Sequence, residues 1–469
     1  MDTITADIGN PINQIICALF INFTGFVYGS TIGWMSPMGL LLQSRDSPTG
    51  VPLSNTEISW MASLPYLMCI PANYVVAYVG DRYGRKKTVM LMSITCAVCW
   101  AIKLCSLSVW AFIVARCLVG FSMAGTCVCC PIYTKEIANK NIRGALGCLV
   151  SLFFTIGSMF MYVIGDIFSY RTVLWIAVSI PLVHLVVLIA MPESPSYLVK
   201  VGKEEEAEKA LSWLRRKEKN HLVIQNEIEE IKNEQNNDAE GDKFLLKAIF
   251  KDSILIKAFQ IALAAALARE LCGAVPVLNF AGQIFAMSSE GTGLVLSPNQ
   301  QTMMLGVVQI TGGLLTSSVV ERVGRKALLI VTSLVSGLSM CVLASWFLAR
   351  DYQYVSPAWI PIITLCLCIL CDAAGLQALP TVITGEIFSF KYRGTVLATT
   401  MAIASLSDFF QLLYFKPLAS AIGVHVAFYF FGLMCLCSAL YTVLVIPETK
   451  GRDLEDIYDD LRGEQCSQQ

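Results

Sequence analysis

Apolar stretches of about 20 or more residues alternate with polar segments along the whole chain. A helix needs roughly 20 mostly apolar residues to cross a bilayer, so each stretch is long enough to span a membrane. Several stretches contain Pro or Gly, which membrane helices tolerate because neighbouring helices or water satisfy the freed backbone groups. The pattern predicts twelve spans: 14–42, 57–79, 88–107, 109–133, 144–166, 171–190, 254–287, 299–320, 327–349, 356–385, 395–420 and 423–446.

One long polar segment, residues 196–250, separates the sixth predicted span from the seventh. Residues 203–234 are rich in helix formers, with Glu and Lys three or four positions apart, a spacing that stabilises exposed helices. We therefore predict surface helices here, while NNDAEGD (236–242) fits a disordered linker. The predicted organisation is a six-helix bundle, a helical linker, a second six-helix bundle and a tail: 1–195, 196–250, 251–446 and 447–469.

Composition agrees with a membrane protein, because 55% of the 469 residues are hydrophobic and only 15% are charged. A soluble domain carries about 25% charged residues. The net charge of −1 gives no support to nucleic-acid binding. Nearly all of the 18 cysteines lie inside apolar runs, with no His or carboxylate at ligand spacing, so we expect packing rather than a disulfide framework or a metal site. No cofactor is predicted.

The positions of Lys and Arg predict the orientation in the membrane. Of the 34 basic residues, 27 lie in alternate connections and in the C-terminal tail. Short loops rich in Lys and Arg stay on the cytoplasmic side. Both termini are therefore predicted to be cytoplasmic.

The two halves of the chain repeat three motifs in the same order. GDRYGRK (80–86) returns as ERVGRK (321–326), EIANKNIRG (136–144) as EIFSFKYRG (386–394), and PESPSYL (192–198) as PETKGRDL (447–454). The offsets of 240, 250 and 255 residues are nearly constant. This indicates duplication of a six-helix unit, an organisation found in transporters whose halves rock around a central site.

These motifs, together with RCLVG (116–120), resemble those of the sugar porter branch of the major facilitator superfamily. GWMSP (33–37) and the short loop of the second span are most similar to the insect-type facilitated trehalose transporters. The resemblance covers essentially the whole chain. It implies an all-α membrane fold of twelve helices in two pseudo-symmetric halves, and a monomeric, multi-pass protein of the cell membrane. It also implies that the partners are the bilayer and a small sugar-like solute, and that the protein is not an enzyme.

The repeated motifs place acids beside arginines at the inner ends of spans. Guanidinium groups pair bidentately with carboxylates, and the resemblance implies a network that holds the cytoplasmic side shut when the carrier opens outward. Positive-inside topology alone would need the basic residues but not the acids or the glycines, which fit tight turns. The predicted gating residues are Asp81, Arg82, Gly84, Arg85, Glu136, Arg143, Glu321, Arg322, Gly324, Arg325, Glu386, Arg393 and Glu448.

The resemblance also locates a solute pocket near the bilayer midplane, but most of its usual residues differ here. Arg269 and Glu270 stand where the family has two glutamines, Ser151 replaces another glutamine, and Thr381 replaces a tryptophan. Neutral donors and acceptors suit a sugar, which is uncharged and rich in hydroxyl groups. The predicted substrate-binding residues are Ser151, Thr155, Arg269, Glu270, Asn279, Gln309, Thr381 and Asp408.

Arg269 and Glu270 are unusual because they lie deep within an apolar span. Arg269 is twelve residues beyond Lys257, roughly 18 Å along a helix and near the middle of the bilayer. An Arg at that depth costs roughly 2.5–3.5 kcal/mol and needs a cavity or a partner. Three interpretations stay open: an ion pair that locks helices together, a direct solute contact, or proton coupling. In one arrangement Glu270 faces the cavity while Arg269 pairs with Asp408.

The energy source follows from the first span. Proton-coupled sugar porters carry an acid there, whereas this chain has Val27 in GFVYG (25–29), which favours facilitated diffusion. Glu270 and Asp408 keep proton coupling open, since acids within membranes can relay protons. An organic-solute or anion carrier with Arg269 as counter-charge is a further alternative. A non-transporting sensor is a third, although the tail at 447–469 is short for signalling.

Overall fold

A computed structural model describes residues 11–139, 141–218, 221–238, 248–289, 296–354, 357–452 and 454–462. The regular secondary structure in these ranges is helical. Eleven helical segments are long and apolar enough to cross a membrane: Ile12–Leu42, Asn55–Tyr83, Arg85–Cys105, Val109–Ile137, Arg143–Ile167, Tyr170–Ile189, Ser253–Ser289, Arg325–Asp351, Ile360–Ile387, Tyr392–Ala421 and Val424–Leu444. They are the predicted spans one to seven and nine to twelve.

The predicted eighth span is also a helix, Pro298–Val323. It begins at Ser297, whose side chain accepts a hydrogen bond from the backbone of Gln300 while the Gln300 side chain accepts one from Ser297, as in a capping box. Asn299 and Gln309 are polar residues of this helix. This helix matches the predicted eighth span, 299–320, and agrees with the twelve-span prediction.

Among the described residues, four spans are interrupted rather than continuous. The fifth consists of helices Arg143–Gly147 and Leu149–Ile167. The first consists of helices Ile12–Gly33 and Met35–Leu42, and the seventh of helices Ser253–Glu270 and Ala274–Ser289. The tenth contains a π-helical turn at Asp372–Leu376 between two α-helices. Such turns occur frequently at functional sites.

Contacts group the chain into two compact units. The first unit comprises Met1–Ile32, Leu64–Phe160 and Phe168–Gly241. The second comprises Gly33–Ser63, Met161–Ile167 and Asp242–Gln469. The segment boundaries after residues 195, 250 and 446 stay predictions.

In the first unit, glycines allow the first and fifth spans to approach closely. A Cβ at Gly29 would lie 2.1 Å from the carbonyl oxygen of Phe154, and one at Gly157 would lie 2.3 Å from that of Phe26. Small residues let helix backbones meet in a membrane, where tight packing replaces the hydrophobic effect. This contact fixes the part of the fifth span that carries Ser151 and Thr155.

In its described residues the linker contains three short helices, Pro195–Lys200, Glu204–Arg215 and Leu222–Asp238. They bury a small apolar cluster that includes Leu198, Leu211 and Ile228. Arg215 pairs with Glu227 and donates a hydrogen bond to the carbonyl oxygen of Ile137, at the end of the fourth span. The linker is therefore a folded element attached to the first unit; most of the stretch for which disorder was the alternative lies outside the described residues.

Candidate functional site

The seventh span breaks at the position of its two ionisable residues. Its first helix ends at Glu270, and the chain turns through Gly273, whose φ is +83°. A Cβ at Gly273 would lie 2.6 Å from the ring of Phe431, so both the conformation and the packing favour glycine here. Arg269 lies in the last turn of this helix, where a cation interacts favourably with the partial negative charge of the exposed carbonyl groups.

Arg269 pairs with two carboxylates of the second unit. Its Nη1 lies 2.6 Å from Oε1 of Glu270, and its Nε lies 3.8 Å from Oδ1 of Asp372. Asp372 begins the π-helical turn of the tenth span. The carboxylates within 4.0 Å of Arg269 are thus those of Glu270 and Asp372, rather than that of Asp408 as in the arrangement considered from the sequence. The long Arg269 side chain reaches its neighbour because the helix ends there, although adjacent residues of a helix point in different directions.

Asp408 of the eleventh span completes the cluster, because its carboxyl group lies within hydrogen-bonding reach of Glu270. The cluster is buried: the side chains of Glu270 and Asp372 are 4% and 3% exposed, and Asp408 is 4% exposed. Arg269, with 26% of its side chain exposed, is its accessible member. We refer to Arg269, Glu270, Asp372 and Asp408 as the charged cluster.

The charged cluster has more acceptors than donors. Within the part of the chain that the structure describes, Glu270 Oε2, Asp372 Oδ1 and Asp408 Oδ1 accept no hydrogen bond from an N–H or hydroxyl group, and Arg269 Nε donates none. One guanidinium faces three carboxyl groups, and burying an ionised carboxylate without a donor is costly. The arrangement therefore favours a ligand that brings hydrogen-bond donors or positive charge.

The other predicted pocket residues lie in several places. In the first unit, Thr155 is buried, and its hydroxyl group donates a hydrogen bond to the carbonyl oxygen of Ser151. Ser151 is an exposed residue. In the second unit, Asn279 is buried and donates to the carbonyl oxygen of Val275. Gln309 is buried, and Thr381 is exposed. Of the predicted set, the structure brings Arg269, Glu270 and Asp408 together.

A second group of predicted residues forms the same ion-pair network in each unit. In the first unit, Arg85 lies 3.0 Å from Asp81 and 3.2 Å from Glu136. In the second unit, Arg325 lies 2.8 Å from Glu386. These arginine side chains are 12% and 9% exposed, so solvent screens the pairs less than ordinary surface salt bridges.

The third repeated motif joins each network. Ser194 donates to Glu136 in the first unit, and Thr449 donates to Glu386 in the second. Glu448 accepts hydrogen bonds from the backbone N–H groups of Arg325, Lys326, Thr449 and Lys450. Partial burial raises the pKa of Glu448, but these backbone hydrogen bonds together lower it by more, so its pKa lies below the ordinary value.

Gly84 and Gly324 turn the chain beside these acids. Their φ angles are +108° and +94°, a region that other residues rarely adopt. A Cβ at Gly84 would lie 2.3 Å from Oε2 of Glu193, and one at Gly324 would lie 2.8 Å from Oε2 of Glu448. Each glycine therefore lets a motif acid reach the turn.

Four of the remaining gating candidates lie outside these networks among the described residues. Arg143 and Arg393 each donate to a backbone carbonyl oxygen five residues earlier, of Ala138 and Phe388. Arg82 donates to the hydroxyl group of Tyr78. The side chain of Arg322 is exposed. Glu321 lies in the eighth span, and its side chain is outside the described part of the structure.

Sequence reasoning missed three residues. Glu193 accepts hydrogen bonds from the backbone of Lys86 and Ser194, as Glu448 does in the other half; comparing the repeated motifs could have found it. Asp372 lies in an apolar, cysteine-rich run of the tenth span. An ionisable residue within a span is the sequence signal that could have identified it as a site residue. Gln283 is 7% exposed, and neither of its amide atoms has a hydrogen-bond partner among the described residues.

Comparison with known proteins assigns the family. Residues 17–461 match the model of the family described as sugar (and other) transporter. The facilitated trehalose transporter Tret1 of Culex quinquefasciatus is 25% identical over 456 residues, covering 96% of this chain and 86% of that protein. That of Polypedilum vanderplanki is 26% identical over 460 residues, covering 97% and 90%. This chain matches 50% of the length of a longer relative, Tret1 of Drosophila virilis.

Solved structures share the fold. The inward-open conformation of the xylose transporter XylE from E. coli has a TM-score of 0.77 at 19% identity, covering 95% of this chain and 99% of that one. The proton:xylose symporter XylE bound to 6-bromo-6-deoxy-D-glucose has a TM-score of 0.70 at 20% identity, covering 96% and 98%. The predicted architecture of twelve membrane helices is thus confirmed. The chain belongs to the family described as sugar (and other) transporter.

Proposed function

We propose that this protein moves a small polyhydroxylated solute, a hexose or a disaccharide such as trehalose, across a membrane by alternating access and facilitated diffusion. The observation that carries the proposal is the charged cluster at the break of the seventh span, where buried carboxylate oxygens lack donors. Sugar hydroxyl groups are donors of the kind that these oxygens need. Intramembrane ionisable residues are expensive and mark solute or ion pathways. The relatives named as facilitated trehalose transporters support the choice of solute.

Facilitated diffusion is supported by Val27, which occupies the position of the first-span acid in proton-coupled relatives. The excess of carboxyl groups in the charged cluster favours a second candidate, coupling to protons or transport of an amine-bearing solute. It disfavours an anion, because Arg269 is already paired with Glu270 and Asp372.

The test is uptake into proteoliposomes of labelled trehalose, glucose, glucosamine and an organic acid, each with and without a pH gradient. Saturable flux of a neutral sugar that does not depend on the gradient supports facilitated diffusion. Flux that rises with an inward proton gradient, or that is confined to glucosamine, supports the second candidate. Absence of sugar flux from folded protein contradicts the proposal.

A residue-level comparison tests the site itself. Replacing Arg269 and Glu270 together by glutamine restores the residues usual in the family, and we expect a change of at least tenfold in the relative uptake of trehalose and glucose. Replacement of the exposed Arg171 by glutamine serves as the control and leaves this ratio unchanged. An unaltered ratio in the double variant would remove these residues from the pocket.

We propose that the two ion-pair networks act as the cytoplasmic gate, closed when the carrier opens outward. Each network pairs a partly buried guanidinium with an acid at the ends of spans, so breaking it during the transport cycle is costly but local. Glu386→Ala is expected to favour the inward-open state. Labelling of cysteines engineered into the cytoplasmic cavity measures this, and unchanged labelling counts against a gating role.

We further propose a monomer in the cell membrane with both termini in the cytoplasm, supported by the distribution of Lys and Arg. Antibodies against tags at both termini should bind in permeabilised cells and not in intact ones. Mass photometry of the purified protein should give one chain per particle. Binding to tags on intact cells would reverse the orientation.

A further inference from the structure

A groove with a volume of about 260 Å³ runs between the second, third and fourth spans of the first unit. Its walls are apolar apart from one threonine. They include Val75 and Val79 of the second span, Leu91 and Thr95 of the third, and Leu118 and Phe121 of the fourth. Val75 and Leu91 are 50% and 43% exposed, so the groove is open at the surface of these membrane-spanning helices.

Basic side chains continue two walls of the groove. Residues three or four apart lie on the same face of a helix. Arg82 follows Val79 by three positions on the second span, and Lys87 precedes Leu91 by four positions on the third. The same end of the groove therefore has one cation on each wall, and under the predicted orientation it is the cytoplasmic end.

These two cations are not used by the ion-pair network. Of the four basic residues in this connection, Arg85 pairs with acids, and Lys86 donates to the carbonyl oxygen of Ile189. Arg82 and Lys87 are exposed, and among the described residues neither has a carboxylate within 4.0 Å.

Two tyrosines hold Arg82 in place without neutralising it. Its guanidinium lies 5.9 Å and 5.8 Å from the ring centres of Tyr78 and Tyr83, and it donates to the hydroxyl group of Tyr78. Both rings are more than half exposed. Tyrosines are typical of the boundary between hydrocarbon and head groups. The charge of Arg82 is thereby presented at the depth of lipid head groups.

We propose that this groove binds one anionic phospholipid. Its acyl chain lies against Val75, Val79 and Leu91, and its phosphate group lies between Arg82 and Lys87. The occupant is a lipid because the walls belong to membrane-spanning segments. It is anionic because two cations without acidic partners stand at the head-group end. Anionic lipids are concentrated in the cytoplasmic leaflet, where basic pockets between membrane helices bind their head groups.

The test measures lipid that stays bound to the purified full-length protein. Protein reconstituted in an equal mixture of phosphatidylcholine and phosphatidylserine is extracted, washed in detergent and examined by native mass spectrometry. We expect one retained phosphatidylserine per chain. Lys87→Gln should lower its retention about fivefold, equivalent to the roughly 1 kcal/mol that a basic side chain contributes at an anionic surface.

Matched variants separate the groove from general charge attraction. Lys251→Gln removes an exposed cation elsewhere near the membrane boundary and should leave retention unchanged. Thr95→Phe fills the groove and should lower retention at least fivefold, whereas Ile94→Phe, on the adjacent exposed position, should not. Equal loss in the Lys251 and Lys87 variants, equal retention of phosphatidylcholine, or an unaffected Thr95→Phe variant would each overturn the proposal.

Discussion

Arg269 is the residue through which the charged cluster is held together. It lies between the carboxylates of Glu270 and Asp372 and is the accessible member of a group that is otherwise buried. Removing one partner of a buried ion pair leaves an uncompensated charge, which costs far more than the pair itself contributes. A single substitution therefore measures the cost of leaving a buried charge without its partner, whereas the double substitution measures the contribution of the pair.

The first prediction concerns this pair. Arg269→Gln should lower the free energy of unfolding by about 3–5 kcal/mol, because three carboxyl groups lose their cation. Arg269→Gln combined with Glu270→Gln should cost less than Arg269→Gln alone. Chemical denaturation in detergent micelles measures both, and Arg171→Gln should change stability by less than about 0.5 kcal/mol. A double variant that costs as much as Arg269→Gln alone, or more, would show that the two residues do not interact.

A second prediction concerns Glu448, whose pKa lies below its ordinary value in the folded protein. A carboxyl group with a lowered folded pKa contributes stability above its unfolded pKa, about 4.3, and loses it as pH falls through the folded value. Glu448→Gln should therefore destabilise the protein at pH 7 and have little effect well below pH 4. Thermal unfolding at both pH values measures the difference, and an equal effect at both would contradict the role of the charge.

At the scale of elements, the turns between the second and third spans and between the eighth and ninth spans show the same construction. Each is a single glycine between two long helices, with a positive φ. An acid from the third repeated motif, Glu193 or Glu448, lies against the glycine. The acid accepts hydrogen bonds from backbone N–H groups at the start of the following helix. The turn and the acid therefore stabilise each other.

The third prediction follows from this construction. Gly84→Ala and Gly324→Ala should each cost at least about 1–3 kcal/mol, since alanine is strained in this conformation and its Cβ would collide with the acid. Gly144 and Gly313 lie in helices with no heavy atom within 4 Å of an added Cβ, so their alanine variants serve as controls and should be neutral or more stable. Melting temperatures of the four variants in one detergent give the comparison. Equal shifts in all four would show that the turns impose no constraint.

At the scale of the whole molecule, duplication accounts for the two networks. Arg85 with Glu136 and Arg325 with Glu386 are equivalent pairs in different units, supported by the equivalent hydroxyl groups of Ser194 and Thr449.

The fourth prediction tests their independence. Glu136→Gln and Glu386→Gln should each cost roughly 1.5–3 kcal/mol, because each removes a charged hydrogen-bond acceptor from a partly buried arginine. We expect the two networks to act independently, so the cost in the double variant should equal the sum of the single costs within about 0.5 kcal/mol. Unfolding of the single and double variants in the same micelles gives the coupling energy. A coupling above 1 kcal/mol would show that the networks act as one.

The sequence by itself determined the twelve spans, the linker helices, the duplicated motifs and the family. These depend on the length of apolar runs and on local spacing, which a chain displays without folding. The pairs of Arg85 and Arg325 were also predictable, because each repeated motif carries both the arginine and its acid to the inner ends of spans.

Only the tertiary structure decided how the charged cluster is built. The sequence placed Arg269 and Glu270 near the middle of the seventh span, but the partner of Arg269 depends on where that helix ends and on a π-helical turn more than a hundred residues later. Neither the end at Glu270 nor the turn at Asp372 has a periodic signature. A buried charge takes whichever partner packing brings within reach, and that choice is made between helices rather than along one.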